Sequence, residues 1–466
     1  MLRRISLALA AAALLPAAAS AQTYYEHVRP VLVDNCMTCH TTDGPAWSME
    51  DAEATYDRAQ RIARAIEARR MPPFLAADGH QEYMGDISLD SETISVIQEW
   101  AAAGYPKGEA RRDKMPAVPA GAMHHTAFTG DVALEVLNSE GYLPNQESND
   151  DYRCFLVDWT EDTDQFLTGF RARPGNTNVA HHVVVYGIEP EMWQRYRDLE
   201  DIEEGPGYTC FGGALPDRLL TRDARTEYEA TYPNGVRELD RASWWLAHWA
   251  PGMDGHIFPE GTGIPIKPGG GMVVQMHYYS STAPGEKDAN TALDFMTEFE
   301  VDRPAMNLSQ TRSDWLGGAQ NQTMVIPDGE MRTYEYADDL GQMAGYIARL
   351  TGVDPETVTA LEVHSANLHM HAIGHSGRIT LRDPTGRLET LLEVPRWDLN
   401  WQRDFTFMQP KVIPARRLNG VRLAVECTFE NTTGATVYGG FGSGDEMCFN
   451  FSYIAVVTED ESGGGN

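Results

Sequence analysis

From about Phe128 onward the chain is written in short alternating apolar runs separated by turn residues, and this texture constrains the fold more than any other feature. Examples are Cys154-Phe-Leu-Val-Asp-Trp159, Val183-Val-Val-Tyr-Gly187, Val273-Val-Gln-Met-His277 and Val421-Arg-Leu-Ala-Val425. Side chains alternate faces along a strand, so runs of this length build antiparallel sandwiches, each sheet packing one face. Helical stretches are few in this part, at 191–201 and 338–350, and there is no strong internal repeat.

The start of the chain has a different character. Arg3 and Arg4 precede an apolar stretch at 7–18, followed by the small residues Ala19-Ser20-Ala21. That is the pattern of an export signal cleaved after Ala21, and it predicts a periplasmic or secreted protein. No later stretch is long and apolar enough to span a bilayer, so no membrane span is expected. A length of 466 residues suggests two to four domains, and a formal net charge of −31 argues against nucleic acid and anionic membranes as partners. The Gly-rich acidic end, 459–466, reads as a flexible tail.

Six cysteines are present, and the first two sit in Cys36-Met-Thr-Cys39-His40. This spacing is the covalent c-type haem attachment pattern: two thiols bond the porphyrin and the adjacent imidazole reaches the iron. A redox cysteine pair and a chance match are the alternatives. Helical apolar spacing precedes the motif at 25–33. A charged amphipathic helix is expected at 51–70, stopped by Pro72 and Pro73, and another at 91–103 with Gly104 as its C-cap. Met71, on the proline-stiffened loop, is the expected sixth iron ligand, with Met84, Met49 and Met37 as competitors. Taken together, residues 24–108 resemble a small bacterial class I cytochrome c domain. The expected boundaries are 1–21 for the signal, 22–108 for this domain and 109–127 for a linker that contains His124 and His125, which are given no metal.

Four further patches offer soft ligands. His369 and His371 lie in Leu368-His-Met-His371; spacing by two puts both on one strand face, with Leu368 and Ala372 opposite. His181-His182 heads an apolar run, and both can serve one metal only if the strand is irregular there. His277 ends a strand run, and Met447 sits in a Gly-rich stretch before Cys448. Singly, each reads as a core or surface residue. Jointly, they resemble the copper type II, ascorbate-dependent monooxygenases, the group containing peptidylglycine α-hydroxylating monooxygenase and dopamine β-monooxygenase. The resemblance covers roughly 128–456. It also includes Asp151-Tyr-Arg-Cys154, Trp249-Ala-Pro-Gly252, Phe258-Pro-Glu-Gly261 and Gly439-Gly-Phe-Gly442.

That resemblance implies two sandwich domains, 128–303 and 304–458, each holding one copper. His181, His182 and His277 would hold the electron-transfer copper, and His369, His371 and Met447 the oxygen-activating one. It also implies disulfides Cys154–Cys210 and Cys427–Cys448. The peptide-hydroxylating branch grips a substrate carboxylate with an Arg before the His pair and with Asn and Tyr after the Met-Cys. This chain has Asn367, Phe449 and Phe451 there, so that anchor is missing, and Asn450 is the remaining polar candidate.

The expected fold class is therefore multidomain: a small all-α cytochrome c domain followed by two antiparallel, jelly-roll-like β-sandwich copper domains. The expected function is an exported monooxygenase with two copper ions and one covalent haem. It would hydroxylate an activated C–H bond of a small organic substrate with O2, using electrons from a periplasmic donor passed through the haem. The alternative is a periplasmic electron-transfer or copper-binding protein without oxygenase activity.

Overall fold

The computed structural model describes residues 22–459 except 38, 43–45, 111–127, 201–202, 211–212, 217–218, 220–221, 250–254, 322 and 443. The expected signal segment, most of the linker with His124 and His125, and the tail beyond 459 lie outside the described residues. The chain divides into two compact units: Met1–Phe74 with Ile87–Met123, and Leu75–Asp86 with His124–Asn466.

The described part of the first unit is helical. A π-turn Tyr24–Val28 runs into the helix Arg29–Asn35, and Ala52–Tyr56, Ala59–Glu67 and Ser91–Ala102 follow. Asp51 starts its helix by accepting from the Glu53 and Ala54 N–H groups, and Asp90 starts the last by accepting from Thr93. The expected helix 51–70 is broken at Asp57-Arg58, and Gly104 ends the last helix at φ +81°. Leu32, Ile62, Ile66, Ile97 and Trp100 share one apolar core.

The second unit is built of sheets. A five-stranded sheet orders Tyr208–Thr209, Asp150–Asp158, Gly271–Tyr279, Ala180–Ile188 and Ser243–Trp249. Its middle strand, Gly271–Tyr279, is buried over eight consecutive residues, as a strand covered on both faces must be. A four-stranded sheet orders Met331–Asp339, Arg422–Glu430, Gly374–Arg382 and Leu388–Val394. A nine-stranded sheet includes Gln165–Arg173, Thr262–Ile266, Arg303–Gln310, Phe449–Thr458, Val358–His369 and the edge strand Phe405–Pro414. One core joins Leu246, Val274 and Met276 of the five-stranded sheet to Leu167, Ile264, Phe295 and Tyr453 of the nine-stranded one. The sandwich architecture read from the alternating runs is present.

One expectation about the fold needs correction. The chain is mostly sheet, and residues 22–108 do not make a distinct small all-α cytochrome c domain. Within that span Leu75–Asp86 belongs to the β unit. The Ala77 and Met84 N–H groups donate to the carbonyls of Glu393 and Thr406, and Met408 N–H donates to Glu82, each at 2.8 Å. Tyr83 bridges Phe407, and its hydroxyl donates to the Leu391 carbonyl at 2.8 Å. Leu388–Val394 and Phe405–Pro414 each end a sheet, and an uncovered edge leaves N–H and C=O groups unpaired. The segment satisfies both edges. The strand pairings within each sandwich are antiparallel, as expected, and one parallel pairing joins the halves: Arg303–Gln310 runs parallel to Thr262–Ile266, pairing Arg303 with Thr262 and Pro304 with Gly263. That pairing carries one sheet through both halves.

Candidate metal centre

His181 and His182 are adjacent yet lie on one side of their strand. The pairing of Ala180–Ile188 with Gly271–Tyr279 shifts register between Ala180 and His182, so the usual alternation fails there. Their ring centroids are 4.2 Å apart. His277 faces them from the neighbouring strand. Its Nδ1 lies 3.3 Å from Nδ1 of His181 and 3.5 Å from Nδ1 of His182. Asp150 Oδ1 accepts from His277 Nε2 at 2.9 Å, which fixes the proton on Nε2 and leaves the Nδ1 lone pair directed at its neighbours. Tyr152 stacks flat on the His277 ring, with centroids 4.1 Å apart.

Three imidazole nitrogens this close repel unless a cation lies among them. Metal–nitrogen bonds of roughly 2 Å place neighbouring ligand nitrogens about 3.3–3.5 Å apart, so the triad fits a three-nitrogen metal site. All its ligand atoms lie within 4.8 Å of one another. Burial, with help from neighbouring imidazoles, pushes the His181 pKa down to about 4 and that of His182 well below 6.5. At neutral pH both rings are therefore uncharged and able to donate to a metal.

The second histidine pair uses the other ring nitrogen. His369 is the last residue of its strand and His371 lies just beyond it; Leu368 before them and Met370 between them are buried. Ala372, expected opposite the histidines, is exposed in the following turn. His369 Nδ1 is bonded to Gln402 Oε1, and His371 Nδ1 donates to the Asp445 carbonyl at 2.9 Å. Both Nε2 atoms are thus left as lone-pair donors, and the rings stand nearly perpendicular with centroids 5.3 Å apart. Burial pushes the His369 pKa to about 3 and lowers that of His371. Met447 is 8% exposed, and all six expected ligands line one cavity of about 420 Å³.

Glu446 holds this corner together. Its carboxylate accepts from the N–H groups of His371 at 2.8 Å, Ile373 at 2.7 Å and Met447 at 3.3 Å. Burial nonetheless pushes its pKa up to about 7. The disulfide Cys427–Cys448 pins the residue after Met447 to the four-stranded sheet, and Cys154–Cys210 crosslinks the sheet carrying His277. Both pairings are those implied by the resemblance.

The cavity wall near His369 is aromatic. Phe451 stacks on Phe449 at 5.4 Å and packs on Trp245 at 4.6 Å between centroids. Asn367 lines the cavity, with its Nδ2 donating to Asp404 at 2.9 Å and its Oδ1 without a hydrogen-bond partner among the described residues. Asn450 is fully buried, with its amide committed to Gln310 and Ser452. His364 pairs with Glu362 at 3.0 Å and does not line the cavity.

In the helical unit, Cys36 and Cys39 lie on the turn after Arg29–Asn35, outside the two disulfides. Burial, with Cys39 adding, pushes the Cys36 thiol up to about 12, the opposite of what a reactive redox cysteine needs. His40 Nδ1 is bonded to the Trp47 carbonyl at 2.8 Å. Met71 is half-buried just after Ala59–Glu67, Met37 and Met49 lie in the helical core, and Met84 is exposed in the other unit.

The comparisons with known proteins bear on this geometry. Residues 350–461 match the family of the copper type II ascorbate-dependent monooxygenase, C-terminal domain. That span contains His369, His371, Met447, Cys427 and Cys448. The family match and the three-histidine cluster together support copper, and the match supports an oxidoreductase. No curated protein matches the chain. Among solved structures, the infectious bursal disease virus VP2 subviral particle aligns at 10% identity over 71% of each chain, with a TM-score of 0.16. The peptide-N(4)-(N-acetyl-beta-D-glucosaminyl) asparagine amidase aligns at 8% identity over 70% of this chain and 96% of its own, with a TM-score of 0.28. The major capsid protein P2 of bacteriophage PM2 aligns at 10% identity over 71% and 98%, with a TM-score of 0.24. Scores this low carry no argument. No described helix is long and apolar enough to cross a membrane.

Asp150, Gln402 and Glu446 were not identified from sequence. Asp150 and Glu446 each adjoin a motif residue, a signal that could have found them. Gln402 has no local signal, since it reaches His369 only through the fold.

Proposed function

We propose that this chain is an exported copper monooxygenase that hydroxylates an activated C–H bond of a small organic molecule. The observation that carries the reading is the convergence of two histidine sets on one aromatic-walled cavity, within a chain whose 350–461 segment matches the copper monooxygenase family. His181, His182 and His277 would hold one copper through Nδ1. His369, His371 and Met447 would hold the other through two Nε2 atoms and a thioether, a softer set that favours Cu(I). When bound, copper supplies one-electron chemistry toward O2. Asp150, Gln402 and the Asp445 carbonyl keep each ring proton away from the metal-facing nitrogen. Glu446 fixes the turn that carries His371, and Phe449, Phe451 and Trp245 keep water from the reacting end of the substrate.

Two outside electrons are needed for each turnover. The Cys36, Cys39 and His40 motif supports one covalent haem, with Met71 as the sixth ligand, fed by a periplasmic donor. The proposed copper-bearing spans are 128–303 and 304–458. The two disulfides fit an oxidising compartment.

The test is to load the protein with copper, add reductant and ¹⁸O2, and screen amines, alkyl aromatics and fatty amides. One ¹⁸O atom should enter the product and the other should appear in water. O2 uptake that never yields a labelled organic product would leave only electron transfer or copper binding.

A further inference from the structure

Several polar groups at the cavity have no role in holding metal, and one of them, His248, is paired with a carboxylate behind it. His248 lines the cavity, and its Nε2 lies 3.1 Å from Asp404 Oδ2, with side chains 17% and 14% exposed. The backbone is bent to put it there. On a regular strand Trp245 and His248 would point to opposite faces. The pairing of Ser243–Trp249 with Ala180–Ile188 shifts register between Val185 and Tyr186, so that Val185 faces Ala247 while Tyr186 faces Trp245. The extra residue, Leu246, is buried, and its carbonyl accepts from Asn307 Nδ2 at 2.9 Å. Both Trp245 and His248 therefore reach the cavity, with ring centroids 5.6 Å apart and Phe451 within 6.4 Å of His248. Bulges beside functional cavities commonly re-aim a side chain in this way.

Asp404 occupies the Nε2 side of the ring and is itself fixed by Asn367. Among the described residues Nε2 meets Asp404 as an ion pair without a well-directed hydrogen bond, and Nδ1 has no hydrogen-bond partner. Burial works against the imidazolium, but Asp404 outweighs it and holds the His248 pKa above its ordinary 6.5. Asp404 stays ionised: burial would raise its pKa, and His248 holds it well below the carboxylate range. A partly protonated imidazole thus presents a donor at Nδ1 in a wall of aromatic rings.

We propose that His248 is a specificity-determining polar residue of this cavity: its Nδ1 donates to an acceptor oxygen on a small aromatic substrate. The proposal depends on the monooxygenase reading only in calling the occupant a substrate. It explains how a cavity without the carboxylate grip of the peptide-hydroxylating branch can still orient a ligand. The aromatic end packs on Phe451 and Trp245, and the acceptor end is drawn to His248.

The test is calorimetric titration of the copper-loaded full chain, without reductant, using two probes of one shape: 4-phenyl-2-butanone and butylbenzene. The wild type should bind the ketone about tenfold or more tightly than the hydrocarbon, as expected for a buried charged donor. In His248→Phe the ketone and hydrocarbon should bind within about twofold of each other. Retained hydrocarbon binding shows that the variant is folded. His248→Gln keeps a donor without charge, so it should keep part of the ketone preference. A ketone preference that survives in His248→Phe overturns the proposal. So does a wild type that fails to distinguish the probes, including by binding none. Hydroxylation of the same probes is scored separately. If the preference follows His248 while no product forms, the binding role stands and the monooxygenase reading fails.

Discussion

The two histidine sets differ at the level of single nitrogen atoms. In one, Asp150 takes Nε2 of His277 and leaves Nδ1; in the other, Gln402 and Asp445 take Nδ1 of His369 and His371 and leave Nε2. Removing the partner releases the tautomer, so Asp150→Ala should weaken copper at the three-histidine site by about 10–100-fold while sparing the other. Copper titration with a competing chelator measures this. Met447→His should keep copper near two per chain yet lose most hydroxylation, because nitrogen replaces the one soft donor. Wild-type turnover in that variant would show that the oxygen site is elsewhere. Glu446→Ala leaves one buried and two half-buried N–H groups without their acceptor, the buried one at about 1–3 kcal/mol and the others at less. It should lower the melting temperature and loosen copper at the His369 site, read by scanning calorimetry and metal analysis.

Irregular strands build the site at the scale of elements. One shift in pairing, between Ala180 and His182, turns two adjacent histidines to one metal, and another around Leu246 turns His248 into the cavity. Leu75–Asp86 serves a different purpose, covering two sheet edges from a part of the chain that otherwise forms helices. Tyr83 is its anchor, 6% exposed and packed on Phe405 and Phe407 with centroids 5.5 and 5.9 Å away. Tyr83→Ala should destabilise the β unit by about 3–5 kcal/mol, as truncating a buried aromatic does. Urea denaturation followed by tryptophan fluorescence reads this; a change below about 1 kcal/mol would mean that the edges hold without it.

At the scale of the whole molecule, one nine-stranded sheet runs through both sandwiches, and crosslinks and ion pairs secure its periphery. Asp294 shows how that depends on pH. Burial would raise its pKa, but the Arg173 and Arg171 guanidiniums, 2.8 and 2.7 Å away, hold it below the ordinary 3.8. A depressed carboxyl pKa gives stability that is complete above 3.8 and is lost as pH falls through the folded value. Asp294→Asn should therefore be less stable than wild type at pH 7 and should lose less on going to pH 3, in calorimetric scans at both.

What the sequence determined by itself was local. Alternation of apolar residues specified strands, because side chains on a strand alternate faces whatever lies beyond it. Asp51 and Asp90 marked helix starts, because the orphan N–H groups they cap are only two or three residues away. The family-like motifs pointed to the cysteine pairs that the structure joins. Only the tertiary structure decided the pairings that depend on distant chain. That Leu75–Asp86 leaves its helical neighbours follows from open edges at Leu388–Val394 and Phe405–Pro414, more than 300 residues away. That His248 faces Asp404, His369 faces Gln402 and His371 is held by Glu446 follows from strand register. A shift of one residue reverses every face after it, and nothing in a short window of sequence records where that shift occurs.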